Sequence, residues 1–536
     1  MKKLTNLFII IVIFFMFTPS LHSYFRGVHY WGNSWTVMFW NSLELKNVDN
    51  DFKKIKKDGF NTIILAIPWG EFQPTLNPIT YNYFALNRLK FLLKKAQQHN
   101  LYVILRVSYS WDFYPKVTPS VQERFIKIFF DNSILNSWSL YLKKIYSIAK
   151  SYPNFLSGFI TWEDFFLFYQ FTVMNKSLRK KYANEIGFVD FLKKRYSLKD
   201  ISKIYDIKFH LWSQIYIPSK KEPAFKLFLQ YWDFLLTKRI LLTAKKVFPK
   251  LSMEIRIDKD PIYSKKGKII QWYDHTEQYK SNLDFFTIYY TPAWGAKNIW
   301  NYELSDTAIK RFKYMLKDVK SKISGKYLFI DQFNFYDDSP PSIGNTIIHP
   351  GFIPDFLDKA CNLLKRYTRG YALWTYKDYE GSMIFNGFFE MGKLGWNTKG
   401  KAKIVNYNND KMLKLYTGSS VNQYISKERE NIGWFSFYKN INLCFKAFSK
   451  GKSSVLEIGN SQGFKKKILL NQHLKNFCFK FPYSSNYNIY FKSLIGSSVI
   501  DNVKLFGCIQ RQLLYDSNYN PECLLESIRK LNNCLK

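Results

Sequence analysis

Two carboxyl-bearing runs stand out as places where acid–base chemistry could rest. Glu163 ends the apolar run FLSGFITWED beside Trp162, where an aromatic neighbour can lift a carboxyl pKa and leave it protonated as a donor. Asp331 lies in KYLFIDQFNF, followed by Gln332, with Asp337 and Asp338 beyond. Cleaving a glycosidic bond takes two carboxyl groups from different strands, one protonated to assist departure and one ionised as nucleophile or base. The plainer roles are a helix cap or surface ion pair for Glu163 and a hydrogen-bonded structural acid at Asp331.

Other chemistry-bearing side chains crowd the ends of apolar runs: His29, Trp31, Trp69, Glu71, Arg106, Trp111, Trp162, Arg256, Tyr289, Tyr290, Gln332, Trp374 and Asp378. Sugars offer apolar C–H faces rimmed by hydroxyls, so flat aromatics interleaved with carboxylates, amides and guanidinium groups suit them as binding residues. Any one of these aromatics could equally be core in so aromatic a chain. Arg106, Arg256 and Lys377 would suit an acidic substrate if they line one cleft. No Cys or His pair has metal-ligand spacing, so neither a metal nor a cofactor is expected.

Eight apolar runs must position these residues: FRGVHYWG, NTIILAIPW, LYVILRVSYSW, LSGFITWED, LSMEIRID, LDFFTIYYT, KYLFIDQFNF and GYALWTYKD. They alternate with amphipathic stretches such as NRLKFLLKKAQQHN, in which Leu89, Leu92, Leu93 and Ala96 recur at helical spacing. That alternation predicts an α/β fold, a (β/α)8 TIM barrel over 24–384 whose active site lies at the carboxyl ends of its strands. The stretch from Phe168 to Arg239 predicts an enlarged fourth βα loop plus a helix. From 385 to 508 the texture changes to short strands broken by Gly, Asn and Ser, an all-β jelly-roll sandwich; 509–536 predicts a tail with a short helix.

Residues 1–23 pair a basic start with 11 apolar residues, Leu7 to Phe17, and a small-residue exit. That run is too short to span a bilayer as a helix and predicts a signal peptide, hence a secreted or periplasmic protein with no lasting membrane span. Hydrophobic residues make up 47% of the 536, which excludes a disordered chain. The net charge of +38 comes from lysines scattered over both halves, which argues against a nucleic-acid groove. Solvated surface accounts for the charge; attraction to an acidic glycan is the sharper alternative. Cys444 and Cys478 sit in strand-like runs and could bridge if those strands are neighbours, and Cys534 could link to Cys523 or Cys508.

The order of these motifs resembles the clan of barrel-shaped retaining glycoside hydrolases, including cellulase-like family 5 and β-galactosidase families 35 and 42. The stretch from Gly59 to Trp111 is similar to their second and third strands, with Glu71 and Pro74 a loosened form of a Glu-Pro pair. The resemblance implies an acid/base at Glu163, although Trp162 stands where an Asn is usual. It implies a nucleophile at Gln332, which cannot attack an anomeric carbon, and a subsite floor at Trp374. Asp331 in a shifted register is therefore the expected partner, with Gln332 as a binding alternative, because the two face opposite ways in a regular strand and only a bulge relaxes that. The segments IFNGFFEMGKLGWNT and SSVIDNVKLFG resemble the opening and closing of family 4/9-type carbohydrate-binding jelly rolls. The expected function is exported hydrolysis of a β-linked poly- or oligosaccharide; the alternatives are a transglycosylase or a glycan-binding protein on a degenerate barrel.

Overall fold

The structure is a computed structural model. It describes residues 23–109, 111–161, 170–219, 221–255, 262–263, 269–271, 276–281, 283, 285–292, 302–336, 347–408, 410–427, 440–482, 486–507 and 509–536. The leader read at 1–23 lies outside this set but for its last residue, and among the described residues no helix is long and apolar enough to cross a membrane.

Eight parallel strands close into a barrel: β1 (Phe25–His29), β2 (Thr62–Pro68), β3 (Tyr102–Tyr109), β4 (Phe155–Ile160), β5 (Leu251–Ile255), β6 (Phe285–Tyr290), β7 (Tyr327–Phe333) and β8 (Gly370–Leu373). Seven lie within the apolar runs, and β4 starts one residue before its run, at Phe155. All seven residues of β2 are buried, as a strand covered by side chains within and helices without must be. Inside the barrel, Ile64, Ile104, Phe159, Phe329 and Ala372 form a compact plug. Their strand neighbours of opposite parity, such as Ile63, Leu65 and Val103, join the outer core under the helices.

Those helices are α1 (Val48–Lys57), α2 (Tyr83–Gln98), α3 (Asn132–Ala149), α4 (Phe225–Leu235, continuing to Val247), α5 (Thr276–Tyr279), α6 (Ser305–Lys322) and α7 (Ile353–Tyr367). Side-chain caps fix two of the starts: Asn82 accepts from Ala85 N, and Asp131 from Ser133 N and Ile134 N. Leu89, Leu92, Leu93 and Ala96 are all fully buried on α2. Among the described residues, three short α-helices and a 3-10 turn lie between β4 and α4, so the fourth βα connection is enlarged as expected.

Ten antiparallel strands form two five-stranded sheets: β9 (Asn397–Lys399), β10 (Ala402–Tyr407), β11 (Asp410–Leu415), β12 (Ser420–Ile425), β13 (Ile441–Ser449), β14 (Ser454–Asn460), β15 (Lys465–Leu470), β16 (Lys475–Phe481), β17 (Tyr487–Ile495) and β18 (Ser498–Phe506). One sheet runs β9-β12-β17-β14-β15 and the other β10-β11-β18-β13-β16. The two motifs read at either end of the sandwich meet: Gly387 O accepts from Val503 N, and a Cβ at Gly387 would stand 2.0 Å from Val503 O, so only glycine fits there. Cys444 and Cys478 are directly opposed on β13 and β16 and are bridged.

The last segment carries the short helix expected from the sequence, and that helix packs onto the barrel. Helix α8 (Leu525–Cys534) packs beside α7, in the slot a helix after β8 would fill. Leu525, Ile528, Leu531 and Leu535 join the barrel core, and Asn532 takes a hydrogen bond from Tyr371 of β8 and donates to Asp58 O at the end of α1. The sandwich is therefore inserted between the eighth strand and the eighth helix. Cys534 pairs with Cys361 of α7; Cys523 is free and exposed, and Cys508 lies outside the described residues.

Candidate active site

The second layer of inward side chains, above the apolar plug, is polar. Strand pairing and alternation aim His29, Arg106, Thr161, Glu254, Tyr289 and Asp331 toward the barrel axis, each two residues or a multiple of two beyond an inward neighbour on its own strand. Strand β7 then breaks the alternation. Ile330 pairs with Ile288 and Gln332 with Tyr289, so Asp331 is the extra residue of a bulge and Gln332 also turns inward.

Arg106 organises the layer. Its Nη2 donates to Thr161 Oγ1 at 3.0 Å and approaches Glu254 Oε2 at 3.4 Å, and Thr161 donates to the same carboxylate oxygen. With the Gln332 amide turned so that its oxygen faces the guanidinium, that oxygen accepts from Arg106 Nη1 at 2.9 Å and Nη2 at 2.6 Å. The guanidinium also lies over the rings of Tyr109 and Trp374, at 4.9 and 5.7 Å. Arg106 and Asp331 are fully buried, and Glu254 nearly so.

His29 Nε2 lies 2.6 Å from the Asp331 carbonyl oxygen, so the ring donates there and holds the bulge. Burial, reinforced by the Arg106 charge, pushes its pKa down to about 3, which keeps the ring neutral at ordinary pH. Its ring meets Trp374 at 4.9 Å, and Trp374 meets Trp31 edge-on at 4.3 Å. Trp31, Trp35 and Tyr379 continue this aromatic wall toward the sandwich.

Thus His29, Trp31, Arg106, Tyr289, Asp331, Gln332 and Trp374 are gathered at one end of the barrel. Several sequence candidates are not. Trp69 is packed outside the barrel against Phe125 and Tyr141, with its Nε1 donating to Gln73. Glu71 is buried behind β2, where it accepts from Asn82; burial and the neighbouring Asp112 drive its pKa well up. Tyr290 stacks among Phe312, Phe333 and Phe356 under the helices. Asp378 caps Gln512 N of the returning chain. Lys377 lies over the Tyr519 ring at 3.7 Å near Asp51, and burial lowers its pKa to about 8; it does not join Arg106. Trp111 packs at the edge of the sandwich core. Trp162, Glu163 and Arg256 lie outside the described residues.

Thr161 and Glu254 are the members that the sequence reading passed over. The signal was present: in LSMEIRID, Glu254 shares the parity of Arg256, and a charge inside an apolar strand needs a buried partner. Among the described residues no cluster of His, Cys, Asp and Glu could hold a metal ion.

No curated protein matches this chain. Solved structures similar to it include an exo-β-1,4-mannosidase from Opitutaceae bacterium strain TAV5, at 14% identity over 68% of this chain and 55% of that one, with a TM-score of 0.42. An endo-1,4-β-mannanase from Rhizomucor miehei is 10% identical over 67% of this chain and 87% of its own, with a TM-score of 0.41. The catalytic domain of a β-amylase from Paenibacillus polymyxa is 12% identical over 66% and 92%, with a TM-score of 0.43. Residues 25–151 match the family model for cellulase, glycosyl hydrolase family 5. That stretch builds the first three strand–helix units of a closed eight-stranded parallel barrel.

Proposed function

We propose that the protein hydrolyses O-glycosidic bonds of a β-linked poly- or oligosaccharide outside the cytoplasm, with Glu163 as proton donor and Asp331 as its ionised partner. The observation that carries this is the β7 bulge, which leaves Asp331 and Gln332 both in the inward layer with Arg106, His29 and Trp374. An inward acid in the same layer as a tryptophan has the makings of half a hydrolytic pair, and Glu163, which follows the fourth strand in the sequence, is the proposed other half. Trp374 and Trp31 serve as apolar platforms for the sugar ring, and Gln332, held by Arg106, as a neutral contact. The basic and apolar start of the chain supports export.

Release of reducing ends from a panel of plant and bacterial glycans tests this. Glu163→Gln and Asp331→Asn should each lower kcat by roughly 10²–10⁴ with the fold intact. A native chain inactive on every glycan, or an Asp331→Asn variant as active as the native chain, would sink it. Gln332 favours one rival, a barrel that binds sugar without cleaving it; that rival requires glycan binding with no turnover.

A further inference from the structure

Along the sheet β9-β12-β17-β14-β15, alternate residues point away from the sandwich core: Tyr487, Ile489 and Phe491 of β17 face in, and Asn488, Tyr490 and Lys492 face out. Tyr490 does not stand off this outer face. Its phenol lies across the neighbouring strand β14 over Gly459, where a Cβ would come within 2.5 Å of the Tyr490 hydroxyl and 2.6 Å of Cζ. Glycine at 459 is what lets the ring lie down, and the hydroxyl fixes it there by donating to Glu457 Oε1 at 3.2 Å.

Strand register places the surroundings. Asn422 of β12 is opposite Tyr490, and Lys465 of β15 is opposite Gly459, so one row reads Asn422, Tyr490, Gly459, Lys465 and crosses about 14 Å of sheet. The next row reads Ser420, Lys492, Glu457, Lys467. Lys465 and Lys467 are exposed, and Asn422, Tyr490 and Lys492 partly so. The face thus combines a flat ring, an amide that can pair with adjacent hydroxyls, and three ammonium groups around it. A pyranose lays its C–H face on such a ring, and ammonium groups answer carboxylates carried by the sugars. Glu457, at the centre, accepts from hydroxyls, and the three ammonium groups around it outnumber its charge.

We propose that this sheet face binds an acidic polysaccharide whose pyranose rings carry carboxylates, with Tyr490 as the stacking platform and Lys465, Lys467 and Lys492 as the charge contacts. This deepens the proposed function and rests on it only for a polysaccharide as the ligand, of either linkage. Binding is read without turnover, so an inactive barrel would leave it standing, and a sandwich that ignores the polymer would leave hydrolysis standing.

Affinity electrophoresis of the full-length chain through gels containing polygalacturonate, neutral glucomannan or no polymer tests it. Polygalacturonate should retard the native chain. Tyr490→Ala, which changes no charge, should weaken binding about tenfold, and Tyr490→Phe, which keeps the ring, by less than about threefold. Lys465→Glu with Lys467→Glu should weaken it roughly fivefold or more, while the same charge change at exposed Lys310 and Lys313 of α6 should cost less than about twofold. The lysine comparison decides the matter if Tyr490→Ala does not fold. The inference is overturned if folded Tyr490→Ala binds like the native chain, or if the α6 pair costs as much as the sheet pair. Glucomannan held as tightly as polygalacturonate, or single-stranded DNA held with the same dependence on Tyr490, would overturn it as well.

Discussion

Arg106 is a cation sealed inside the barrel, and among the described residues a carboxylate, a hydroxyl and an amide oxygen lie around it. Its charge is answered by Glu254 of β5, two strands away from the position where the resemblance places a carboxylate. Gln332 can then be neutral without leaving the guanidinium bare. Glu254→Gln should destabilise the fold by about 3–5 kcal/mol in urea denaturation, because it removes a buried countercharge from the guanidinium. Adding Gln332→Glu to that variant returns a carboxylate to the guanidinium from the opposite side and should recover most of the loss. A Glu254→Gln chain within about 1 kcal/mol of the native one would show that Arg106 does not depend on this pair. Much of this layer was legible in the sequence, since His29, Arg106, Asp331, Gln332 and Trp374 all sit at or near the ends of apolar strands. What period-two reading could not supply was the bulge, which turns two successive side chains of β7 to the same side. Nor could it rank strand ends: Trp69 and Tyr290 look like sugar platforms in one dimension, yet they occupy the helix-facing parity or the turn beyond it.

Helix α8 shows the same limit for an element. Its amphipathic pattern is plain in ECLLESIRKLNNCLK, so a terminal helix was foreseeable. Its berth was not, because the residues that receive it, Asp58, Tyr371 and Cys361, are more than 150 positions away and no local pattern encodes such a contact. Arg529 tightens the berth by pairing with Asp58, which also accepts from Tyr376 and Tyr515. Four buried leucine or isoleucine side chains on this segment are each worth about 1.5–3 kcal/mol, so the helix is integral to the barrel. Deleting residues 525–536 should therefore expose the barrel core to limited proteolysis while the sandwich stays protected; loss of the sandwich first would refute this placement. The bridge from Cys361 to Cys534 spans 173 residues, the whole inserted sandwich. Replacing both cysteines by serine should cost about 2–5 kcal/mol, read as a lowered denaturation midpoint under oxidising conditions.

The whole molecule is held at a junction where the sandwich packs on the β1–β3 side of the barrel. Val37, Met38, Tyr109 and Phe113 share one apolar cluster with Phe385 and the sandwich core, while Lys46 with Asp410 and Glu380 with Lys504 form ion pairs across the seam. Asp501 of β18 lies in this seam. Its neighbours are Asp410 of β11, Glu44 of the barrel and Lys446 of β13, with Asn502 N donating to it. Burial, helped by the two carboxylates and only partly opposed by Lys446 and the amide, lifts its pKa from 3.8 to about 7. The folded chain thus holds a proton there that the unfolded chain releases near pH 4. Stability from this group is therefore full at acidic pH and falls as pH rises from about 4 to about 7. Asn copies the protonated acid, so Asp501→Asn should leave the urea midpoint unchanged at pH 4 and raise stability at pH 8 by roughly 1–4 kcal/mol. Since the strain falls on a contact between two bodies, the gain should also appear as slower proteolysis between them at pH 8. A variant equally stable at both pH values relative to the native chain would mean that Asp501 is ionised in the seam and that Lys446 neutralises it.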